Sequence, residues 1–428
     1  MRAAGWEDKV STQRAYGAYP PSLLFCGRGE KKGWPVNNLQ SEGRIRNTNL
    51  YICRYFLQIQ TDDMKTDRNN TLSVRLVSAA AFALFLFQTV SCSLQTSSGY
   101  GTYADFPQTR FLEAETVSLD TALFRYPFRI RVRGDKAVVL DLHGTDHYVQ
   151  AFRYPAFSYW TSAGMRGEGS REMLSGDNIR WWGNGLWALD ANKSELTCWT
   201  VSREGDSLAY RETVSLDERL LRPLDFVPVD DSTFIIPDYS GAGRFCRVNR
   251  RGCLIGREGF IPVDGPQVGR ETLPALAQAW RSFWDYNPHN GVLAAVTQLG
   301  EVVEVWNLKD STHVVCKGPA GDPVFQVSGG YGIPAGIMGF SDVQVGDSAI
   351  YAVFHGHSFR DIMGQGRPGE GLPDGGKYIY VFTHEGRPLC RYELDRYIYG
   401  IAVNEEEGII WATDVNSNEP LLKFRLRS

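Results

Sequence analysis

Gly183-Asn184-Gly185-Leu186-Trp187-Ala188-Leu189-Asp190 reads as a tight turn feeding a strand: residues that tolerate positive φ, then an unbroken apolar run ending in a carboxylate. The pattern occurs six times. The apolar runs cover residues 138–141, 186–190, 234–238, 293–296, 350–353 and 410–414, at intervals of 48 to 60 residues. The other turns are Gly134-Asp135, Asp230-Asp231, Asn290-Gly291, Gly346-Asp347 and the stretch 404–408. Each run is followed by an alternating strand with one large inward residue: Phe152, Trp199, Val248, Trp306, Phe382 and Phe424. A unit of this length built from several short strands is a propeller blade, because solenoid repeats are usually shorter or helical. The expected fold is therefore all-β, a six-bladed β-propeller over residues 111–428.

Fourth strands are expected in five units, at about 158–163, 207–215, 253–258, 312–316 and 388–394. The sixth unit reaches Ser428 after three strands, which leaves an unpaired edge where the ring should close. The alternating, β-prone stretch 112–119 precedes the first unit and has no other partner. It is predicted to supply the missing outer strand of the last blade.

Composition agrees with a globular, turn-rich chain: of 428 residues 44 are Gly and 20 Pro, and 12% are aromatic. Upstream of the first repeat, Lys65, Arg68 and Arg75 precede an uncharged run over 76–87, and Thr89-Val90-Ser91-Cys92 follows. About twelve apolar residues make roughly 18 Å of helix against a hydrocarbon core of about 30 Å, so the run suits a secretory signal better than a membrane span. The Cys92 tetrapeptide is similar to a lipoprotein processing site, with Thr89 where Leu is usual; an ordinary signal peptide cut nearby is the alternative. Acylation at Cys92 would tether the protein, since each buried CH2 contributes about 0.8 kcal/mol. Residues 64–91 are thus read as a signal peptide starting at Met64, 92–110 as a flexible tether, and 1–63 as a mis-assigned or disordered extension.

Setting aside 9 basic and 6 acidic residues before Met64, and 3 and 1 in 64–91, leaves 33 basic against 42 acidic residues, net −9. Such a surface excludes nucleic acid and anionic lipid as charge-driven partners. Beyond Cys92 the cysteines are Cys198, Cys246, Cys253, Cys316 and Cys390, an odd number without metal spacing, so reduced packing residues are expected. A Cys246–Cys253 bridge across the turn at Arg250-Arg251-Gly252 is the alternative.

With these features in hand, the Cys92 signal, the six units and Gly167-Glu168-Gly169-Ser170-Arg171-Glu172 after the first unit resemble the TolB-like six-bladed propeller lipoproteins of Gram-negative gut bacteria. In that family the stretch usually reads Gly-x-Gly-Pro-x-Glu, and Ser170 departs from it. The resemblance implies the fold and a lipid-anchored place on the periplasmic side or surface of the outer membrane. It implies no established activity.

In a four-stranded blade the second-to-third loops and the blade crossovers share one face of the disc. Here that face holds the long loops 164–178, 261–281, 319–339 and 355–377, and long loops on a rigid scaffold commonly carry function. The candidate ligand-binding residues on it are His143, Asp146, His147, Arg166, Glu168, Arg171 and Glu172, with His355, His357, Arg360 and Arg367 in the insertion. His355 and His357 would face alike on an extended strand and could bind a metal with a carboxylate; solvated loop histidines are the alternative. Asn178, Asp225, Asp285 and Asp342 lie where crossovers enter the innermost strands. Their oxygens could converge on Ca2+, as in propellers resembling lactonases and gluconolactonases, or they could tie blades together.

No GxSxG elbow, P-loop, HExxH or dinucleotide fingerprint occurs in its required context. The favoured reading is a monomeric, non-enzymatic binding or scaffolding module for a peptide, glycan or protein. A calcium-dependent hydrolase is the alternative.

Overall fold

The computed structural model describes residues 98–119, 123–263, 272–362, 364 and 371–426. The signal, Cys92, Met64, the upstream extension and Arg367 lie outside them.

Three short strands come first: β1 (Ser98–Thr102), β2 (Thr109–Leu112) and β3 (Glu115–Val117). Six sheets follow. Blade 1 is β4 (Pro127–Arg133), β5 (Lys136–Asp141), β6 (His147–Arg153) and β7 (Ser158–Met165). Blade 2 is β8 (Asn178–Trp182), β9 (Gly185–Asp190), β10 (Glu195–Val201) and β11 (Leu208–Ser215). Blade 3 is β12 (Val227–Pro228), β13 (Thr233–Pro237), β14 (Phe245–Asn249) and β15 (Leu254–Glu258). A helix, α1 (Leu273–Ala279), leads into blade 4: β16 (Ser282–Asn287), β17 (Val292–Thr297), β18 (Val302–Asn307) and β19 (Thr312–Lys317). A hairpin, β20 (Phe325–Ser328) and β21 (Tyr331–Pro334), fills the next crossover. Blade 5 is β22 (Phe340–Val345), β23 (Ile350–Phe354), β24 (Gly376–Phe382) and β25 (Pro388–Ile398), with the short helix α2 (Phe359–Ile362) in its insertion. Blade 6 is β26 (Ile401–Asn404), β27 (Ile409–Thr413) and β28 (Leu421–Arg425), to which β3 adds as outer strand.

The second strands are apolar on both faces because each blade is covered by its two neighbours; every residue of β9 and β17 is buried. Aromatic rings fill the seams. Trp187 meets Phe234 between blades 2 and 3 at 5.9 Å, and Phe157 meets Trp411 between blades 1 and 6 at 4.6 Å.

The aspartates that end several second strands have a common local role. Asp141 accepts the amides of Arg125, Tyr126 and His143, and Asp190 accepts those of Leu174, Asn192 and Lys193. Each carboxylate closes its own loop and pins the incoming crossover to it, satisfying loop amides that have no partner in the strand ladders.

Ring closure by the early chain follows the sequence expectation, with Thr116 opposite Leu422 in an antiparallel ladder. The stretch read as a tether contributes more than that. From Ser98 onward, β1 lies parallel to β19 and β2 parallel to β25, so one segment edges blades 4, 5 and 6 in succession. Tyr103 donates to Glu301 at 2.9 Å, and Phe106 packs on Tyr380 and Phe382. Composition hid these strands, because Gly99, Gly101 and Ser98 are poor strand formers that only an existing edge can order.

The five cysteines from Cys198 to Cys390 are free thiols, and Cys253 alone of them is exposed. Cys246 stands opposite Arg257, several residues from Cys253, so the hairpin register does not bring the two together.

Candidate functional site at the propeller axis and crossover face

Every innermost strand begins at the crossover face, so the residues just before and within its first turn line the axis. Blade 1 brings Arg129 and Arg131 there, blade 2 Asn178 and Arg180, blade 3 Asp225, blade 4 Asp285, and blade 5 Asp342. The three aspartates act alike. Asp225 accepts the Trp284 amide at 3.1 Å, Asp285 the Val345 amide at 2.8 Å and Asp342 the Ile401 amide at 2.9 Å. Each carboxylate thus joins its own blade to the first strand of the next.

Arginines complete the network. Arg180 pairs with Asp225 at 3.2 Å and Asp285 at 2.6 Å, and donates to the carbonyls of Phe226 and Trp284. Arg131 pairs with Asp342 at 3.2 Å and donates to the Ile401 carbonyl, while Arg129 Nε stands 3.3 Å from the same carboxylate. Asn178 donates to Asp225 at 2.5 Å. Burial alone would raise the Asp342 carboxyl, but Arg129 and Arg131 hold it below the usual range. At Asp285 burial prevails over Arg180 and the carboxyl is raised. Burial lowers Arg129 to about 10 against the pull of Asp342.

Asn178, Asp225, Asp285 and Asp342 therefore do meet near the axis, facing guanidinium groups and backbone amides. That donor set does not fit Ca2+, because a cation would have to displace Arg180 and Arg131 and release the amides that join the blades. Among the described residues no group of three His, Cys, Asp or Glu side chains is placed to hold a metal ion. The arginines were the signal missed: charges at 129, 131 and 180, inside strands that should be buried, ask for buried partners.

On the crossover face the insertion of blade 5 reaches across blade 6 to blade 1. Met338, Phe340, Ser341, His355, Ile362, Asp374, Gly375 and Tyr399 line a small cleft there. Tyr126 donates to Asp374 at 3.3 Å and packs edge-on against His143 at 5.3 Å, which links the first histidine loop to the cleft. Burial raises the Asp374 carboxyl and lowers the His143 imidazole. His355 is buried and pushed down to about 4, by burial first and His357 second. Its Nδ1 accepts the His357 amide at 3.3 Å, so Nε2 carries the hydrogen of the neutral ring. Arg360 is exposed on α2.

The other predicted residues sit apart, on the rim of blade 1. Arg166 donates to the Gly144 carbonyl and lies over Tyr148, and Arg171 lies over Tyr210. Asp146 and Glu168 are exposed, and His147 is half-buried at the start of β6. The glycine motif is a lock: Glu172 accepts the Gly169 amide at 2.8 Å, and Lys193 of blade 2 donates to the carbonyls of Gly169 and Glu172 at 2.7 Å. A Cβ on Gly167 would fall 2.0 Å from the Glu172 carboxylate, which accounts for glycine there.

Several buried side-chain atoms lack a hydrogen bond. Most are indole nitrogens, of Trp160, Trp181 and Trp284, or belong to ion-paired Arg129, Glu304, His313, Asp322 and Arg391. Three are neither: Tyr239 Oη, Arg281 Nη1 and His355 Nε2. Tyr239 follows the second strand of blade 3, Arg281 precedes the first strand of blade 4, and His355 follows the second strand of blade 5. All three residues lie at the crossover ends of their blades.

Residues 105–406 match the family described as TolB-like 6-blade propeller-like. No curated protein matches the chain. Solved structures similar to it include a candidate exported protein of Bacteroides fragilis, 10% identical, covering 77% of this chain and 99% of that one with a TM-score of 0.47. A member of the DUF4221 family from Bacteroides vulgatus is 11% identical over 73% and 95% of the two chains, TM-score 0.47. An auxiliary nutrient binding protein from Bacteroides ovatus is 11% identical over 74% and 77%, TM-score 0.46.

Proposed function

Since the chain belongs to the TolB-like six-bladed propeller family, we propose that it works as a binding module whose ligand enters the axial funnel from the crossover face. A peptide, glycan or protein partner docks on that face, and the cleft around His355 and Asp374 takes one of its groups. The module is exported and lipid-anchored through Cys92, on the periplasmic side or surface of the outer membrane. Among the described residues no helix is long and apolar enough to cross a membrane.

One observation carries this reading. Buried polar groups are ordinarily hydrogen-bonded inside a fold, yet Tyr239 Oη, Arg281 Nη1 and His355 Nε2, at the crossover ends of blades 3, 4 and 5, are each buried without a close partner. The axial carboxylates, by contrast, are committed to neighbouring blades, which supports a rigid ring more than a reacting centre.

Peptide and oligosaccharide arrays probed with the full chain test it. Binding that is lost on His355→Ala, with the variant still folding to a propeller by circular dichroism, is expected. Micromolar calcium binding in calorimetry, abolished by Asp225→Ala or Asp342→Ala, would overturn the reading in favour of a metal-dependent hydrolase.

A further inference from the structure

Arg281 is 9% exposed, Nη1 is buried without a hydrogen bond, and no carboxylate of the described residues lies within ion-pair distance of its guanidinium. A buried guanidinium in that condition costs several kcal/mol in a finished fold, and natural chains pair such groups. The end of α1 immediately precedes Arg281, and helix carbonyl ends favour a cation, which makes the site tolerable but leaves the donors unfilled.

Its surroundings narrow what is missing. Tyr239, 7% exposed and with its hydroxyl also unsatisfied, feels Arg281 as its strongest neighbouring charge. Arg244, the next cation of that region, is committed to Glu304 at 2.7 Å, the Trp280 carbonyl and Ser282. Arg129 is committed to Asp342. Asp177 of blade 2 acts on Arg281 from beyond ion-pair distance, held by Ser175 and the Ala191 amide. The funnel therefore offers one cation without an ion pair among the described residues, one phenolic donor, and an aromatic wall from Phe283 under the guanidinium. A dianion such as phosphate would be under-neutralised there and would oppose Asp177. A carboxylate matches in charge, and its two oxygens match a guanidinium nitrogen and a hydroxyl.

We propose that the funnel mouth between blades 3 and 4 binds the carboxylate of an acidic ligand, with Arg281 as counter-ion and Tyr239 as the second donor. This rests on the binding-module reading and specifies one group that the ligand must carry.

The full chain is titrated by calorimetry with glucuronate and with N-acetyl-diglycine, and with their uncharged counterparts glucose and N-acetyl-diglycinamide. At least one acid binds, its uncharged counterpart does not, and the acid that binds tells a uronate source from a peptide terminus. Arg281→Gln weakens the acid by about tenfold or more, and Tyr239→Phe, which removes only the hydroxyl, by roughly threefold to tenfold. Without ligand, Arg281→Gln also raises the melting temperature, because it removes an unpaired buried charge. The proposal falls if neither acid binds at millimolar concentration, if Arg281→Gln binds the acid unchanged, or if that variant melts lower. A neutral peptide or glycan that binds equally to Arg281→Gln would remove the carboxylate assignment while leaving the binding module standing.

Discussion

The Arg180 guanidinium of blade 2 reaches past blade 3 to the Asp285 carboxylate of blade 4, 2.6 Å away. Both groups are withdrawn from solvent, so the pair is worth less as net stability than as a constraint on which blades sit together. Removing one partner is a different matter. Arg180→Met leaves Asp225 and Asp285 without their counter-charge and should cost about 3–5 kcal/mol in urea unfolding. Arg180→Met combined with Asp285→Leu should recover part of that loss. A single variant as stable as the parent would show that the pair does not matter.

The early strands should stabilise the ring rather than decorate it. Leu112 is buried among blades 5 and 6 with Tyr392, Leu394 and Leu422. Leu112→Ala should therefore cost about 2–4 kcal/mol. Deleting 98–119 should lower the unfolding midpoint further, because it uncovers the edges of β19, β25 and β28 at once. Equal stability of the deleted chain would mean that closure comes from the blades alone.

Asp177 gives the funnel a pH dependence of known sign. Burial raises its carboxyl to about 6 from an ordinary value near 4. The folded state then holds a proton that the unfolded state has lost between those values, so stability falls as pH rises from about 4 to 6. With partial solvent contact allowed for, the loss is about 2 kcal/mol. Asp177→Asn should flatten that part of the stability profile and leave the region above pH 7 flat; an unchanged profile would place the titration elsewhere.

Thiol chemistry should be confined to one position among the described cysteines. Burial pushes Cys198 and Cys316 up to about 11 and Cys246 up to about 12, which suppresses their thiolates. Cys253 is exposed. Brief treatment of the native protein with iodoacetamide followed by peptide mass spectrometry should find Cys253 alkylated and the four buried cysteines untouched.

Much of the architecture could be read in advance because a propeller is written locally. A turn such as Gly183-Asn184, an apolar run and a closing aspartate each act within a few residues, and repetition multiplies a weak signal. The fourth strands followed from their preceding turns, and counting edges assigned the closure to 112–119, within which 115–117 pair with the last strand. The candidate site was less legible. His143, His355 and the axial aspartates could be placed on the crossover face, but Tyr126, Asp374 and Arg281 could not be associated with them. Their contacts join residues from different blades, and no sequence spacing records which side chain crosses an axis.

By itself, then, the order of residues decided blade number, strand order and the face that bears long loops, since all of these follow from pairing between neighbours along the chain. Tertiary structure alone decided that the carboxylates at 225, 285 and 342, which do converge near the axis, would answer arginines and backbone amides instead of a cation. It also decided that Ser98–Thr102 and Thr109–Leu112 would become strands, and that Arg281 and Tyr239 would be left with unfilled donors. Each of those outcomes depends on charges and edges brought together from blades far apart in the chain, where burial fixes the energy of every unmatched group.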